Sequence, residues 1–381
     1  MKYIKNGRFI LPHGIINDGV LAFDDKIFGF INENEIPENA EVINANGGYV
    51  APGLIDIHIH GYLGEDTSDG KADGIFKIAN GIMKNGVTSF CPTTMTVSDD
   101  EINKALEVVR SLKAESKEWN GAEILGVNLE GPFINPNKKG AQAEVHIKKP
   151  NAKFVIDNSD IIRLVTIAPE TDGGIEAIKE IRKKSDVIVA IGHTDATFEE
   201  ALEGIEAGAA HITHLFNAQT PLHHRNPGVV GAALLKNVTT ELIADTFHVH
   251  KGLFELLARV KGENLVLITD CTRAGGMPDG EYTLGGQPIF VKGIKCLLED
   301  GTIAGSVLRL NEAVKNLRDN TDLPIWQVVS AASIQAARVI GADAFKGSLE
   351  VGKDADIIIT DEEFNVLKTI IGGEIKYEAG N

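Results

Sequence analysis

The chain has 381 residues, of which 43% are hydrophobic and 24% charged, which predicts a soluble globular protein with one large domain and a smaller one. Its formal net charge of −17 argues against nucleic-acid binding, because no basic surface can replace the counterions of a phosphate backbone. The sequence contains no run of 18 apolar residues, so it predicts no transmembrane helix. The polar residues within MKYIKNGRFILPHG argue against a signal peptide. Three scattered cysteines, Cys91, Cys271 and Cys296, predict reduced thiols and a cytoplasmic protein.

The two ends of the chain carry short alternating stretches that predict β-strands. Residues 1–51 contain YIKNGRFI and GVLAFDDKIFGFI, separated by turn residues. Residues 347–381 contain DADIIITDEEFNVLKTIIGGEIKYE, which predicts strands and a hairpin. Because neither end is long enough to bury a core alone, we expect both to pack together as one small β-sandwich domain.

Eight β-rich apolar runs follow one another through residues 52–346. In chain order they read GLIDIHIH, GVTSFCPTT, AEILGVNLEG, IIRLVTIAPE, DVIVAIGHT, AAHITHLFN, TTELIADTFH and NLVLITDC. Eight is the number of strands that closes a (β/α)₈ barrel of the TIM type. Near-continuous apolar runs are also typical of parallel strands that are buried on both faces.

Helical patterns lie between several of these runs. SDDEINKALEVVRSLK opens with a capping box of Ser98 and Glu101, and TFEEALEGIEAG repeats this with Thr197 and Glu200 before it stops at Gly208. Alternating strands and helices predict a parallel sheet in the α/β class. We therefore expect residues 52–346 to form the barrel, while a doubly wound open sheet remains an alternative with the same alternation.

Polar residues recur at the carboxyl ends of the runs. They are His58, His60, Glu130, His193, His214 and Asp270. His58 and His60 stand two residues apart on one strand, so their side chains face the same point. In a barrel, the carboxyl ends of all strands ring one mouth, which is where barrel enzymes carry their active sites. A single such histidine is more often structural, but six residues at equivalent positions predict a metal site.

The chemistry of this set indicates hydrolysis. Glu130, His193 and His214 supply one carboxylate and two imidazoles, a ligand set that suits a catalytic Zn²⁺ or Fe²⁺ ion with an open position for water. Such an ion lowers the pKa of its water toward ~7 and so provides a hydroxide nucleophile. Asp270 at the last strand is expected to act as general base and acid, and the alternative for this residue is a helix N-cap.

Longer motifs carry a resemblance to a known family. They are EGPFINPNKKGAQ, GHTDATFEEALEGIEAGAAHITHLFNAQTPLHHRNPGVVGAAL, PDGEYTLGG and AGSVLRLNEAV. With the paired histidines of the first run and Asp270 at the eighth, the chain resembles the N-acetylglucosamine-6-phosphate deacetylases of the amidohydrolase superfamily from about residue 48 onward. Many binuclear members of the superfamily use a carbamylated lysine on the fourth strand. The run RLVTIAPE has no lysine there, whereas Glu130 on the third offers a carboxylate.

The resemblance implies roles for individual residues. Glu130, His193 and His214 match the principal metal ligands, and Asp270 matches the catalytic acid and base. The substrate-contacting positions are Ala141, Gln142, Asn217, Ala218, Arg225, His248, Ile303, Ala304 and Gly305. Asn217 and Ala218 meet the substrate phosphate through the main chain. The arginine at the position of Arg225 comes from the neighbouring subunit in this family, which implies a homodimer.

The implied activity is metal-dependent hydrolysis of the acetamide of N-acetylglucosamine 6-phosphate to glucosamine 6-phosphate and acetate. His58 and His60 either hold a second ion or surround a single one. The alternatives are a deacetylase for the galactosamine or mannosamine epimer and a barrel scaffold without catalysis. The stretch GSLEVGKD approaches a phosphate-binding loop but lacks its Ser or Thr and precedes a strand, so we reject that reading. Cys271, Arg273, His223 and His224 receive no assigned role.

Overall fold

A computed structural model describes residues 1–380. All eight predicted runs form strands of one parallel sheet, which we number β1 to β8. Their bounds are Leu54–Ile59 (β1), Val87–Thr94 (β2), Val127–Glu130 (β3), Ile162–Ile167 (β4), Ile188–Ile191 (β5), His211–Ile212 (β6), Thr239–Ile243 (β7) and Leu265–Ile268 (β8). Each strand pairs with the next, and the Asp270 N–H donates to the His58 carbonyl at 2.9 Å, which brings β8 back to β1. The predicted (β/α)₈ barrel is confirmed, and the open sheet is excluded.

Ten α-helices lie within the described part of the chain. They are Ala72–Met83 (α1), Asp99–Lys113 (α2), Ala152–Asp157 (α3), Gly174–Lys184 (α4), Phe198–Ala207 (α5), Gly228–Leu235 (α6), Phe254–Lys261 (α7), Leu310–Asp319 (α8), Ile325–Ala331 (α9) and Ile334–Val339 (α10). Short 3₁₀ turns cover Glu33–Glu35, Thr67–Asp69, Glu115–Lys117, Pro136–Lys138, Glu144–His146, Lys251–Leu253 and Gly262–Asn264. None of the helices described between residues 1 and 380 has the length and apolar character needed to cross a membrane.

Both predicted capping boxes are present. The Ser98 hydroxyl accepts from the Glu101 N–H at the start of α2, and the Thr197 hydroxyl accepts from the Glu200 N–H at the start of α5. In each box the glutamate side chain accepts in return from the main chain of the capping residue. Each cap contributes about 1 kcal/mol to its helix and fixes where the chain leaves the preceding barrel strand.

The two chain ends form two further sheets. One contains Lys2–Lys5, Val20–Phe23, Ile27–Ile31 and Glu41–Asn44, and the other contains Arg8–Leu11, Gly14–Ile16, Tyr49–Pro52, Ile357–Thr360, Val366–Ile371 and Glu374–Glu378. Side chains from both ends, including Phe9, Phe23 and Ile357, are fully buried in a core of their own, and each contributes roughly 1.5–3 kcal/mol. The sandwich built from both ends is therefore confirmed. The boundaries at 51/52 and 346/347 stay a prediction.

A three-stranded hairpin sheet follows β8, and the sequence analysis did not predict it. Its strands are Gly280–Leu284, Gln287–Lys292 and Lys295–Leu297. The Gln287 side chain donates to the Ala141 carbonyl at 2.7 Å, which ties the hairpin to the long loop after β3. Three small strands complete the set: Gly61–Tyr62, Glu65–Asp66 and Glu123–Ile124. The hairpin thus covers part of the carboxyl-terminal mouth of the barrel.

Candidate active site

The predicted polar residues all reach the same mouth of the barrel. Glu130 ends β3, while His193, His214 and Asp270 each stand two residues beyond the end of β5, β6 and β8. These last three have φ values of 46°, 25° and 49°, which L-residues rarely adopt. A residue in the left-handed conformation ends the extended backbone of its strand, and the side chain of that residue remains at the mouth of the barrel. Such strained positions cluster at functional sites.

Glu130, His193 and His214 form a first cluster. The Glu130 Oε1 atom lies 3.1 Å from His193 Nε2 and 2.9 Å from His214 Nε2, and the two nitrogens are 3.1 Å apart. All three side chains are buried. Three potential ligand atoms within 4.8 Å of one another can hold a metal ion.

His58, His60 and Asp270 form a second cluster beside the first. The Asp270 Oδ1 atom lies 3.1 Å from His60 Nε2 and 3.5 Å from His58 Nε2. Glu130 joins the clusters, because its Oε1 is 3.4 Å from His58 Nε2 and its Oε2 is 3.2 Å from His60 Nε2. One carboxylate therefore faces both groups.

Three of the four imidazoles are oriented by an acceptor on the ring nitrogen that points away from the clusters. His193 Nδ1 lies 2.9 Å from the Lys138 carbonyl, and His60 Nδ1 lies 3.3 Å from the Thr93 carbonyl. His58 Nδ1 lies 2.9 Å from a Glu241 carboxylate oxygen. An acceptor at Nδ1 favours the tautomer that carries its proton there, which leaves the Nε2 lone pair directed at the clusters.

Charges within the clusters shift the pKa values of their members. Burial lowers the pKa of the His60 imidazole, but hydrogen bonds to Asp270 and Glu130 outweigh burial and raise it to about 10. Burial raises the pKa of the Glu130 carboxyl, but the charges of His58 and His193 hold it well below its ordinary value. In the metal-free protein, protons on the imidazoles therefore compensate the negative charge of the carboxylates. A bound divalent cation displaces these protons and supplies the same positive charge.

The residues fit a divalent metal ion. His58 Nε2 is fully buried and has no hydrogen-bond partner, although it points at two carboxylates. Such an atom is stabilised by a cation at the centre of the cluster, because an unsatisfied buried polar atom costs roughly 1–3 kcal/mol. Imidazole nitrogens and carboxylate oxygens are ligands that both Zn²⁺ and Fe²⁺ accept.

A cavity of about 380 Å³ opens onto the clusters, and its size suits a small-molecule ligand. It is lined by His60, Met95, Glu130, Asn137, Lys138, Gly140, Ala141, Gln142, His193, His214, Phe216, Asn217, Ala218, His248, Asp270, Leu284, Thr302, Ile303 and Gly305. Of the nine predicted substrate contacts, seven line this cavity, while Ala304 is fully buried between two lining residues. Arg225 does not line the cavity in its own chain. It lies on an exposed loop, where its Nη1 is 2.7 Å from His224 Nε2.

Two of the predicted contact residues are held firmly by neighbours. The Gln142 amide donates to Glu130 Oε2 at 2.7 Å and accepts from the Thr96 N–H at 2.6 Å. His248 Nδ1 lies 2.6 Å from a carboxylate oxygen of Asp245. The Asp245 contact leaves the other ring nitrogen of His248 available to a ligand in the cavity.

The four residues without a predicted role lie outside the cavity lining. Arg273 forms ion pairs with Asp69 at 2.8 Å and with Asp66 at 3.6 Å, and so ties the loop after β8 to the loop after β1. Burial raises the pKa of the Cys271 thiol well above its ordinary value, which makes it unreactive. His223 and His224 are exposed, with their rings 4.3 Å apart.

The sequence analysis missed Glu241. This residue is fully buried in β7, and its carboxylate contacts the side chains of His58 and His211. The signal was an acidic residue in the middle of the run TTELIADTFH, which otherwise predicts a strand with both faces buried. A buried strand tolerates a carboxylate only where partners compensate its charge.

The barrel with its shared carboxylate and converging imidazoles defines a metal-dependent hydrolase of the barrel type. A comparison with protein families matches residues 49–376 to the amidohydrolase family. The chain belongs to the amidohydrolase family.

Individual relatives share nearly the whole chain. It is 38% identical to N-acetylglucosamine-6-phosphate deacetylase of Bacillus subtilis (strain 168), over 98% of this chain and 96% of the relative. It is 34% identical to N-acetylgalactosamine-6-phosphate deacetylase of Escherichia coli O157:H7, over 98% of both. The crystal structure of N-acetylglucosamine-6-phosphate deacetylase from Pasteurella multocida superposes with a TM-score of 0.94 at 31% identity, over 98% of this chain and 99% of that chain.

Proposed function

We propose that this protein hydrolyses the acetamide of N-acetylglucosamine 6-phosphate to glucosamine 6-phosphate and acetate. The observation that carries the proposal is the convergence of Glu130, His193, His214 and Asp270 at the floor of one cavity. The relative of this chain with 38% identity is a deacetylase for this sugar phosphate, which supports the substrate.

The chemistry follows from the side chains at the cavity floor. Glu130, His193 and His214 would hold a divalent ion, which when bound would supply a lowered pKa of water and polarisation of the acetyl carbonyl. Asp270 takes a proton from the attacking water as the new C–O bond forms at the carbonyl carbon. Asp270 then returns the proton to the amide nitrogen as the C–N bond breaks, because an unprotonated amine is a poor leaving group. The products are acetate and the free amino sugar.

The phosphate end is assigned to the loop after β6. Asn217 and Ala218 line the cavity there, and the left-handed φ values of Phe216 and Ala218 turn the main chain sharply at this point. Lys138 lines the same cavity, and its ammonium lies 3.5 Å from Asp195 Oδ1. The net charge of −17 is no obstacle, because a few local donors suffice to bind one phosphate.

Acetate release from a panel of N-acetyl hexosamine 6-phosphates tests the substrate. We expect the gluco epimer to have the highest kcat/KM, the galacto and manno epimers to be poorer, and unphosphorylated N-acetylglucosamine to be far poorer. The Escherichia coli relative acts on the galacto epimer, so a higher kcat/KM for that sugar would favour the alternative substrate. If no acetate is released from any of these sugars, the remaining alternative is a barrel scaffold without catalysis.

Two ions per chain, either Zn²⁺ or Fe²⁺, complete the proposal, with the second held by His58, His60 and Asp270. We expect purified wild-type protein to contain two metal equivalents and His58→Ala to contain one. His193→Ala should lose the ion of the first cluster, and activity with it. Elemental analysis of the three proteins checks this, and equal metal content in wild type and His58→Ala would argue for a single ion.

We further propose a cytoplasmic homodimer in which the partner subunit's Arg225 completes the phosphate site. The exposed Arg225 loop in each chain is available for this contact, and the three cysteines are unpaired, as expected in a reducing compartment. Equilibrium sedimentation that gives the mass of a single chain would contradict the dimer. Recovery of the protein from the secreted fraction of cells would contradict the compartment.

A further inference from the structure

Glu241 is a buried carboxylate that contacts the ring of a cluster histidine and that the proposed mechanism does not use. Its Oε2 atom lies 2.9 Å from His58 Nδ1 and accepts from the His214 N–H at 2.8 Å, and its Oε1 atom lies 3.1 Å from His211 Nε2. His211 is fully buried on β6, directly opposite Thr239 on β7, and its Nδ1 lies 2.7 Å from the Thr239 hydroxyl. Thr239, His211, Glu241 and His58 therefore form one continuous hydrogen-bonded chain across the barrel interior.

The contacts of Glu241 single out the second cluster. The carboxylate reaches one member of the first cluster, His214, only through its main-chain N–H. It reaches the His58 ring directly through Nδ1, so Nε2 is the nitrogen that faces Asp270 and Glu130. Nε2 is the buried nitrogen without a hydrogen-bond partner. An acceptor behind a ligating histidine fixes both its tautomer and its orientation.

We propose that Glu241, held in place by His211, is the positioning residue that enables His58, His60 and Asp270 to bind the second ion. The inference rests on the proposed function, in which that cluster is a metal site. His211 fixes the Oε1 atom of Glu241 and thereby holds the carboxylate in the plane that Oε2 needs to reach both His58 and the His214 main chain. Glu241 itself contacts neither ion nor substrate.

The test is a Co²⁺ titration of the full-length, chelator-stripped protein, followed by visible absorption and by metal content after dialysis. Glu241→Gln preserves the shape of the side chain and removes its charge. We expect the first Co²⁺ equivalent to bind as in wild type and the second to bind about 10- to 100-fold more weakly. Combining Glu241→Gln with His58→Ala should leave the same single Co²⁺ equivalent, bound as tightly, as His58→Ala alone, because both changes act through one imidazole.

Asp56 offers a matched control. Its carboxyl is fully buried on β1 and accepts from the Thr269 hydroxyl at 2.6 Å and from the His58 N–H at 3.3 Å, but it contacts none of the imidazole rings. Asp56→Asn therefore makes the same carboxyl-to-amide exchange at the same depth, and both Co²⁺ equivalents should bind as in wild type. His211→Gln supplies a second variant, in which Glu241 keeps its charge but loses the ring that holds it. We expect a smaller weakening of the second equivalent there.

Four outcomes contradict the inference. They are wild-type binding of the second equivalent in Glu241→Gln, equal weakening of both equivalents in that variant, a further loss in the double variant, and binding of only one Co²⁺ by wild type. The last result would also remove the second ion from the proposed function. Two Co²⁺ equivalents with the expected response to Glu241→Gln, but no acetate release from any sugar phosphate, would overturn the proposed function and leave the role of Glu241 intact.

Discussion

Replacing Asp270 with asparagine should lower the turnover of acetate release by about 10²- to 10⁴-fold, which is the usual contribution of general acid–base catalysis. Burial raises the pKa of the Asp270 carboxyl, but the charge of His58 and a hydrogen bond from His60 outweigh burial and bring it below its ordinary value. The carboxylate is therefore ionised at neutral pH and able to accept the proton of water. An asparagine amide of the same shape cannot accept and return that proton. Steady-state kinetics with N-acetylglucosamine 6-phosphate measures the effect.

The control for this prediction separates proton transfer from metal loss, because Asp270 also belongs to the second cluster. Asp270→Asn is assayed after reconstitution, at a metal content matched to wild type, and its affinity for the substrate is measured by calorimetry. We expect binding within a few-fold of wild type, so that the loss falls on kcat. Asp270→Asn protein that binds substrate normally and keeps near wild-type turnover would remove Asp270 from the proton-transfer role.

The barrel could be predicted from sequence because its strands are buried on both faces. Most of the eight runs are rich in apolar residues, and every residue of β1, β2 and β3 is buried. The hairpin sheet between residues 280 and 297 escaped prediction for the opposite reason. Its strand Gly280–Leu284 is mostly exposed, so no apolar run marks it, and its position over the mouth depends on the contact between Gln287 and Ala141.

The metal-binding clusters could be predicted because polar residues at strand ends need only the topology to bring them together. Glu130 and His214 are 84 positions apart in the chain, yet a barrel places the ends of β3 and β6 around one mouth. The support behind the ligands could not be predicted in this way. Whether Glu241 meets His58 or His211 depends on strand register and on the direction of side chains within the barrel, which residue order alone does not define.

Arg225 illustrates a different limit. Its assignment to the phosphate came from the resemblance, and the single chain leaves it on an exposed loop beside His224. A contact between subunits has no signature in the spacing of residues within one chain. The burial of Lys346 also has no signature in its sequence position, because one of its partners, Glu123, lies far away in the chain.

The second large effect is on stability. Lys346→Met should lower the free energy of unfolding by about 3–5 kcal/mol at neutral pH, the range expected when one partner of a buried ion pair is removed. The Lys346 ammonium is buried and lies 2.6 Å from Glu123 Oε2, 2.9 Å from Asp354 Oδ2 and 2.7 Å from Asp356 Oδ2. Without it, three carboxylates face one another where the barrel meets the sandwich. Urea unfolding followed by circular dichroism measures the loss.

Lys149→Met is the matched control, because Lys149 and its partner Asp172 are both largely exposed and such pairs are worth about 0–1 kcal/mol. The pH dependence gives a second check. Protonation of a carboxylate at lower pH relieves the repulsion among the three groups that Lys346 no longer compensates in the folded variant. Stability of the variant therefore falls as pH rises, and its deficit relative to wild type should be smaller at pH 5 than at pH 7. A deficit below about 1 kcal/mol, or one that does not change between these pH values, would show that Lys346 does not offset the charge of the three carboxylates.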